Sequence, residues 1–253
     1  MTQPIVTSRV YNDCTLHFFQ MAPNMTGDMT CDMEDMQQTI GCNHVLYTCG
    51  SGFGVDEVAE ETAKDYGMQI ETMKLLPHPR AKSSSPATVE LLRTTDEAIQ
   101  NAAVTLRRKV PSHFHTFSIL QRNYHAVKKA HTVFAFGHIH PNRTEVRGGT
   151  GWTIQLALDQ GKTVFVFDDD KRRWYTAERK YDVDPTTNLL KIRTEFLPWG
   201  STELPTLHQS SAVVGSQLIG QNTEKEVKDL FHRTFCTVKN AEEFRKELEE
   251  LAI

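Results

Sequence analysis

Apolar residues in the middle of the chain fall into short runs separated by glycine-rich turns, and that alternation predicts the elements. Thr132-Val133-Phe134-Ala135-Phe136 and Thr163-Val164-Phe165-Val166-Phe167 are short, β-rich runs that read as buried strands. Between them, Arg147-Gly148-Gly149-Thr150-Gly151-Trp152 opens a helix-like pattern that ends at Gly161. The same grammar appears earlier: His44 to Thr48 is strand-like, Gly50-Ser51-Gly52-Phe53-Gly54 is a glycine turn, and Val55 to Tyr66 is apolar at helical spacing. Gly67 stops that helix, and Met68 to Met73 is the next strand. Pro77 to Pro86 predicts a loop, followed by helices over Ala87–Arg107 and Phe117–Lys129.

Trp174 to Phe196 alternates around the turn Asp184-Pro185-Thr186-Thr187-Asn188 and predicts a β-hairpin appended to the sheet. Ala212 to Gly215 is a last short strand, and Asn222 caps a helix from Thr223 to Phe235. Thr15 to Phe19 is read as a strand and Asp32 to Ile40 as a short helix. The predicted organisation is an N-terminal arm (1–42), a domain over 43–239 that includes the hairpin 174–196, and a helical tail (240–253). That tail, with Phe244, Leu248 and Leu251 at helical spacing, is expected to pack on the body or on a second subunit. Strand, glycine turn, helix, strand, used twice, predicts an α/β fold. It is Rossmann-like and doubly wound, with a mainly parallel sheet, an appended hairpin and C-terminal helices, and both turns lie at the carboxyl edge, where such sheets bind ligands.

Composition narrows the function classes. Of the 253 residues 39% are hydrophobic and 24% charged, ordinary for a soluble globular protein, so the expected location is cytoplasmic. A net charge of −4 offers no basic field for non-specific nucleic-acid binding. No apolar run approaches the roughly 20 residues that span a bilayer, and no secretory signal opens the chain. Five cysteines without a CxxC pair read as reduced thiols rather than a zinc site. Five of the eight methionines, between Met21 and Met36, read as a loop leading into a helix.

The chemistry-bearing signals are the turns. Bare glycines at a helix start expose main-chain N–H groups to an anion, which predicts a nucleotide-type pocket. The first turn is the weaker of the two; in the second, three glycines and the Thr150 hydroxyl cluster at the helix start, with no Walker lysine. Asp168-Asp169-Asp170 beside Lys171-Arg172-Arg173 is read as a solvated strand end, and the pairs His113/His115 and His138/His140 as exposed loop residues. The expected metal and cofactor content is therefore none.

Gly148-Gly149-Thr150-Gly151 matches the GGxG core of a PGGxGTxxE motif, Arg122 lies on the preceding helix, and Ser51 to Glu60 resembles a GGARGADxLAE turn. On these residues the chain resembles the SLOG superfamily, the Rossmann-like group that holds the Lonely Guy phosphoribohydrolases, the molybdenum-cofactor carrier proteins and the DNA-processing proteins of transformation. The likeness spans about 43–167 and is closer to uncharacterised, partly phage-encoded members with RNY…GGTGW than to the enzymes. It implies a nucleotide-like ligand and a homodimer or higher homo-oligomer. Two departures stand out: Trp152 replaces the motif threonine, and Gln155 replaces its glutamate, whose amide cannot act as a base.

Three readings follow. The first is a ligand-binding or sensor protein for a nucleotide or nucleoside-monophosphate derivative. The second is an N-glycosidic-bond hydrolase in which Arg122 and Glu145 (or Asp56) carry the chemistry. The third is a single-stranded-DNA binder, which the acidic balance opposes. The ligand would lie on Gly148, Gly149, Thr150 and Gly151, be clamped by Arg122, and be walled by Gly52, Gly54 and Asp56. Asn123 would hydrogen-bond the base. Trp152 either stacks on the base or anchors the helix in the core, and Tyr124 is open to the same two roles.

Overall fold

The computed structural model describes residues 43–50, 54–73, 86–142, 144–183, 188, 190–201, 203–217 and 220–235. The predicted elements at 15–19 and 32–40, the methionine run, Gly52 and the tail 240–253 lie outside them.

The architecture is α/β, with helices on both faces of a seven-stranded, mostly parallel sheet, compatible with a doubly wound Rossmann-like fold. In chain order the elements are β1 (Val45–Thr48), α1 (Val55–Asp65), β2 (Gln69–Thr72), α2 (Pro86–Leu106), α3 (Phe114–Lys129), β3 (Thr132–Gly137), α4 (Gly148–Asp159), β4 (Thr163–Asp168), β5 (Arg173–Val183), β6 (Leu190–Pro198), β7 (Ser210–Gly215) and α5 (221–235). The sheet runs β2-β1-β7-β3-β4-β5-β6, parallel from β2 to β4, with the antiparallel hairpin β5–β6 continuing one edge. The predicted hairpin and parallel units are present. The last predicted strand occupies the middle of the sheet, inserted between β1 and β3.

Side-chain size explains the layering. On one face Ala126 and Val127 of α3, Ala130 just past its end, and Ile154, Ala157 and Leu158 of α4 cover Val133, Ala135, Val164, Val166 and Val214. On the other, Val55, Ala59 and Ala63 of α1 and Val227, Leu230 and Phe231 of α5 cover an aromatic floor of Phe134, Phe136, Phe167 and Trp174. Helix α2 forms an outer layer, packing Ile99, Ala102 and Ala103 on Leu120 and Tyr124 of α3 and on Trp152 and Leu156 of α4. β3, covered on both faces, is buried along its whole length, which is why it reads as an unbroken apolar run.

Three sequence expectations are corrected. Helix α3 starts at Phe114 rather than Phe117, one turn earlier. Helix α5 starts at residue 221, so Asn222 lies inside it; the Thr223 hydroxyl donates to Asp169. Asp168 is not a solvated strand end: it is fully buried, accepting from the Asp170 amide (3.2 Å) and from Lys171 Nζ (2.8 Å). Those two bonds close the tight β4–β5 turn, in which Arg172 takes a left-handed backbone. No described helix is long and apolar enough to cross a membrane.

Candidate functional site

Both glycine turns follow parallel strands, β1 and β3, at the carboxyl edge of the sheet, with the end of β7 between them. The first turn is covered where it meets α1, at Gly54. The backbone of Ser216 and Gln217, just past β7, packs over Gly54, and the Ser216 carbonyl accepts the Val55 amide (3.2 Å), taking the first donor of α1. Below it sits a polar knot: Thr48 donates to Glu60 (2.7 Å) and accepts from the Gly50 amide (3.1 Å). Asp56 is buried at the start of α1. Burial pushes the Cys49 thiol well above its ordinary pKa, with the Asp56 charge adding to that and Arg122 opposing it. The thiol is therefore protonated at neutral pH and is no nucleophile.

The second turn is open. Gly148 and Gly149 are exposed, a Cβ built on either meets no atom within 4 Å, and Gly148 has φ +70°, a conformation that other residues adopt only at a cost. No side chain caps α4 and no acidic residue lies in its first turn, so its N-terminal amides carry an unanswered partial positive charge. Gly151 differs in kind: a Cβ there would overlap the Val146 carbonyl oxygen, so this glycine serves close packing. Thr150 is buried. The exposed part of the predicted cradle is Gly148 and Gly149.

The guanidinium that reaches this turn belongs to Arg108. It donates to the Gly148 carbonyl (2.9 Å), the Val146 carbonyl (2.9 Å) and the Glu145 carboxylate (2.7 Å). Arg107 aims it, ending α2 in a left-handed backbone (φ 53°) while the Arg108 amide returns to Ala103 O (3.0 Å). In the sequence, Arg107-Arg108-Lys109 is a local basic run; its position just past a helix end is the only signal that could have marked Arg108. The segment between β3 and α4 is a small hairpin, with Ile139 paired to Val146 and the His140 amide bonded to Glu145 O (2.9 Å). The Glu145 carboxylate, the expected catalytic substitute, is thereby held in an ion pair.

The expected convergence of Arg122 on residues 148–151 is replaced by a different arrangement. Arg122 Nη1 points to the Gly50 carbonyl of the first turn at a long 3.5 Å. Its neighbour Asn123 donates to Thr153 Oγ1 on α4 (2.7 Å), which in turn donates to the Gly149 carbonyl (3.4 Å). Consecutive residues of α3 therefore address one turn each. Both keep a buried polar atom without a partner among the described residues, a donor at Arg122 Nε and an acceptor at Asn123 Oδ1. Such groups cost about 1–3 kcal/mol each when unsatisfied.

The remaining candidates are structural in placement. Trp152, 7% exposed, takes the core-anchor role of its two, and Tyr124 lies in the same cluster. Gln155 is fully buried, donating to Asp159 (2.7 Å) and accepting from Thr194 of β6 (2.9 Å). It ties α4 to the hairpin. Among the described residues no group of three or more His, Cys, Asp or Glu side chains could hold a metal. Comparison of the chain with protein-family models, curated proteins and solved structures found no match.

Proposed function

We propose that the protein binds a nucleotide or nucleoside-monophosphate derivative, as a ligand-binding or sensor protein of SLOG-like type, with the phosphate on the Gly148 and Gly149 amides. The supporting observation is the uncapped, acid-free and sterically open start of α4, flanked by a nine-tenths-buried asparagine with an unsatisfied oxygen. A helix start of this kind attracts anions by its dipole and by its unpaired N–H groups. Arg108, fixed to the carbonyls of the same turn, adds positive charge that a phosphate can share with Glu145.

Binding is favoured over N-glycosidic hydrolysis because the carboxylate expected to carry that chemistry is engaged and the position of the motif's glutamate holds a buried amide. Glu145 is ion-paired to Arg108, and Gln155 is held by Asp159 and Thr194. The test is calorimetric titration of the full chain with nucleoside monophosphates, the matching nucleosides and inorganic phosphate, with chromatography of each mixture for free base. Saturable binding of a monophosphate, at least tenfold tighter than its nucleoside and without base release, is expected. Equal binding of monophosphate and nucleoside, or none of either, overturns the phosphate site; release of base replaces the binding reading with the hydrolase.

A further inference from the structure

Asn123 holds one polar atom that the described chain leaves unmet. The residue is 8% exposed, and its Oδ1 is buried without a hydrogen-bond partner among the described residues. Two bonds fix which way the amide faces. The single proton of the Thr153 hydroxyl goes to the Gly149 carbonyl (3.4 Å), so this hydroxyl accepts from Asn123, which must turn Nδ2 toward it (2.7 Å). Thr153 is fully buried, so bulk water does not compete for either bond. Oδ1 therefore faces away as an acceptor, and a buried acceptor left unmet is costly.

The place of this oxygen narrows what can meet it. Arg122 and Asn123 are neighbours on α3; the first points to Gly50 and the second to α4, so this turn of helix lies between the two glycine turns. Thr153 stands four residues into α4 from Gly149, about 6 Å along the helix. A donor for Oδ1 must therefore lie a few bonds from a phosphate on the Gly148 and Gly149 amides. In a nucleoside 5′-monophosphate the ribose hydroxyls stand at that remove, whereas the amino and imino groups of the base lie beyond the sugar.

We infer that Asn123 Oδ1 accepts a ribose hydroxyl of the ligand, which makes the protein selective for ribonucleotides over their deoxy counterparts. This rests on the phosphate reading above, and it assigns Asn123 to the sugar rather than to the base expected from the sequence. Discrimination comes from the fixed amide. A deoxy sugar leaves Oδ1 buried and unpaired, and the amide cannot turn Nδ2 outward in its place while Thr153 holds it. Because Thr153 also bonds the Gly149 carbonyl, the acceptor for the sugar and the turn for the phosphate are linked through one side chain.

Calorimetric titration of the full chain with the adenosine, guanosine, cytidine and uridine 5′-monophosphates, their 2′-deoxy and 3′-deoxy forms and the free ribonucleosides tests this. For the base that binds, at least one deoxy form is expected to bind roughly tenfold or more weaker than the ribonucleotide, and which one identifies the hydroxyl. Asn123→Leu, close in volume, and Asn123→Ala remove the acceptor with residues that suit a helix. In either, ribonucleotide affinity is expected to fall to that of the weaker deoxy form, whose own affinity stays the same. A residue with a merely structural role would weaken all forms alike. The free ribonucleoside separates the two readings. If the ribonucleotide binds more tightly than its nucleoside but both deoxy forms match it, the phosphate site stands and the hydroxyl contact falls. Discrimination that survives undiminished in an Asn123 variant that folds overturns the assignment to Asn123. Equal binding of nucleotide and nucleoside, or none of either, overturns both.

Discussion

Replacing Gly149 with aspartate separates anion binding from stability, because the two respond in opposite directions. Gly149 is the second residue of α4, is exposed, and leaves open space where a Cβ would stand. Removing a glycine from a helix gains a few tenths of a kcal/mol, and a carboxylate in a first turn that has none gains about 0.3–1 kcal/mol from the helix dipole. The sum, about 0.5–1.5 kcal/mol, corresponds to a Tm higher by roughly 1–6 °C for a domain of this size. The same carboxylate would lie about 5 Å from a phosphate on the Gly148 and Gly149 amides. Coulomb repulsion at that distance is about 1–3 kcal/mol per unit of phosphate charge between effective dielectrics of 80 and 20. Binding of a nucleoside monophosphate should therefore weaken at least tenfold, less so in high salt, while Gly149→Asn, equal in size and uncharged, retains it. Calorimetry and differential scanning fluorimetry on the three proteins read both effects. Unchanged affinity in Gly149→Asp would refute the placement of the anion.

Other outcomes follow from the same geometry. Gln155→Glu puts a second carboxylate beside Asp159 in a fully buried position. It should cost at least about 2 kcal/mol in chemical denaturation and yield no base release from nucleoside monophosphates. Arg108→Ala removes the guanidinium from the Gly148 and Val146 carbonyls and strands Glu145, so affinity for the monophosphate should fall at least tenfold while the fold, read by circular dichroism, persists. Trp152→Ala empties the centre of the α2–α3–α4 cluster and should destabilise by about 3–5 kcal/mol in a urea titration. His125, half-buried beside Thr95, has its pKa lowered by burial, with Lys128 and Lys129 adding to the effect. The unfolded chain then binds the extra proton first, so stability is held above about pH 6.5 and falls as the pH drops through that value toward the folded pKa. His125→Gln should flatten that part of a stability-against-pH curve; an unchanged slope would assign it to other groups.

Local pattern carried the elements and the location of the open turn. The apolar runs of β3 and β4, the helical spacing of α1 and the glycines at Gly148 to Gly151 are properties of adjacent residues, and periodicity with turn chemistry suffices to read them. What belongs to residues far apart in the chain was decided by tertiary structure alone. The insertion of β7 between β1 and β3 joins strands more than 70 residues apart, and it is this strand's exit at Ser216 that covers Gly54 and takes the Val55 amide. Which arginine reaches the open turn depends on where α2 ends against α4, so Arg108 reaches it and Arg122, the arginine expected there from the sequence, points to Gly50. The burial of Trp152 and Gln155 follows from the outer helix and the hairpin packed over them, and Asp168 is held within the β4–β5 turn by Asp170 and Lys171. A one-dimensional pattern records that a position is apolar or polar; which neighbour covers it is set by packing.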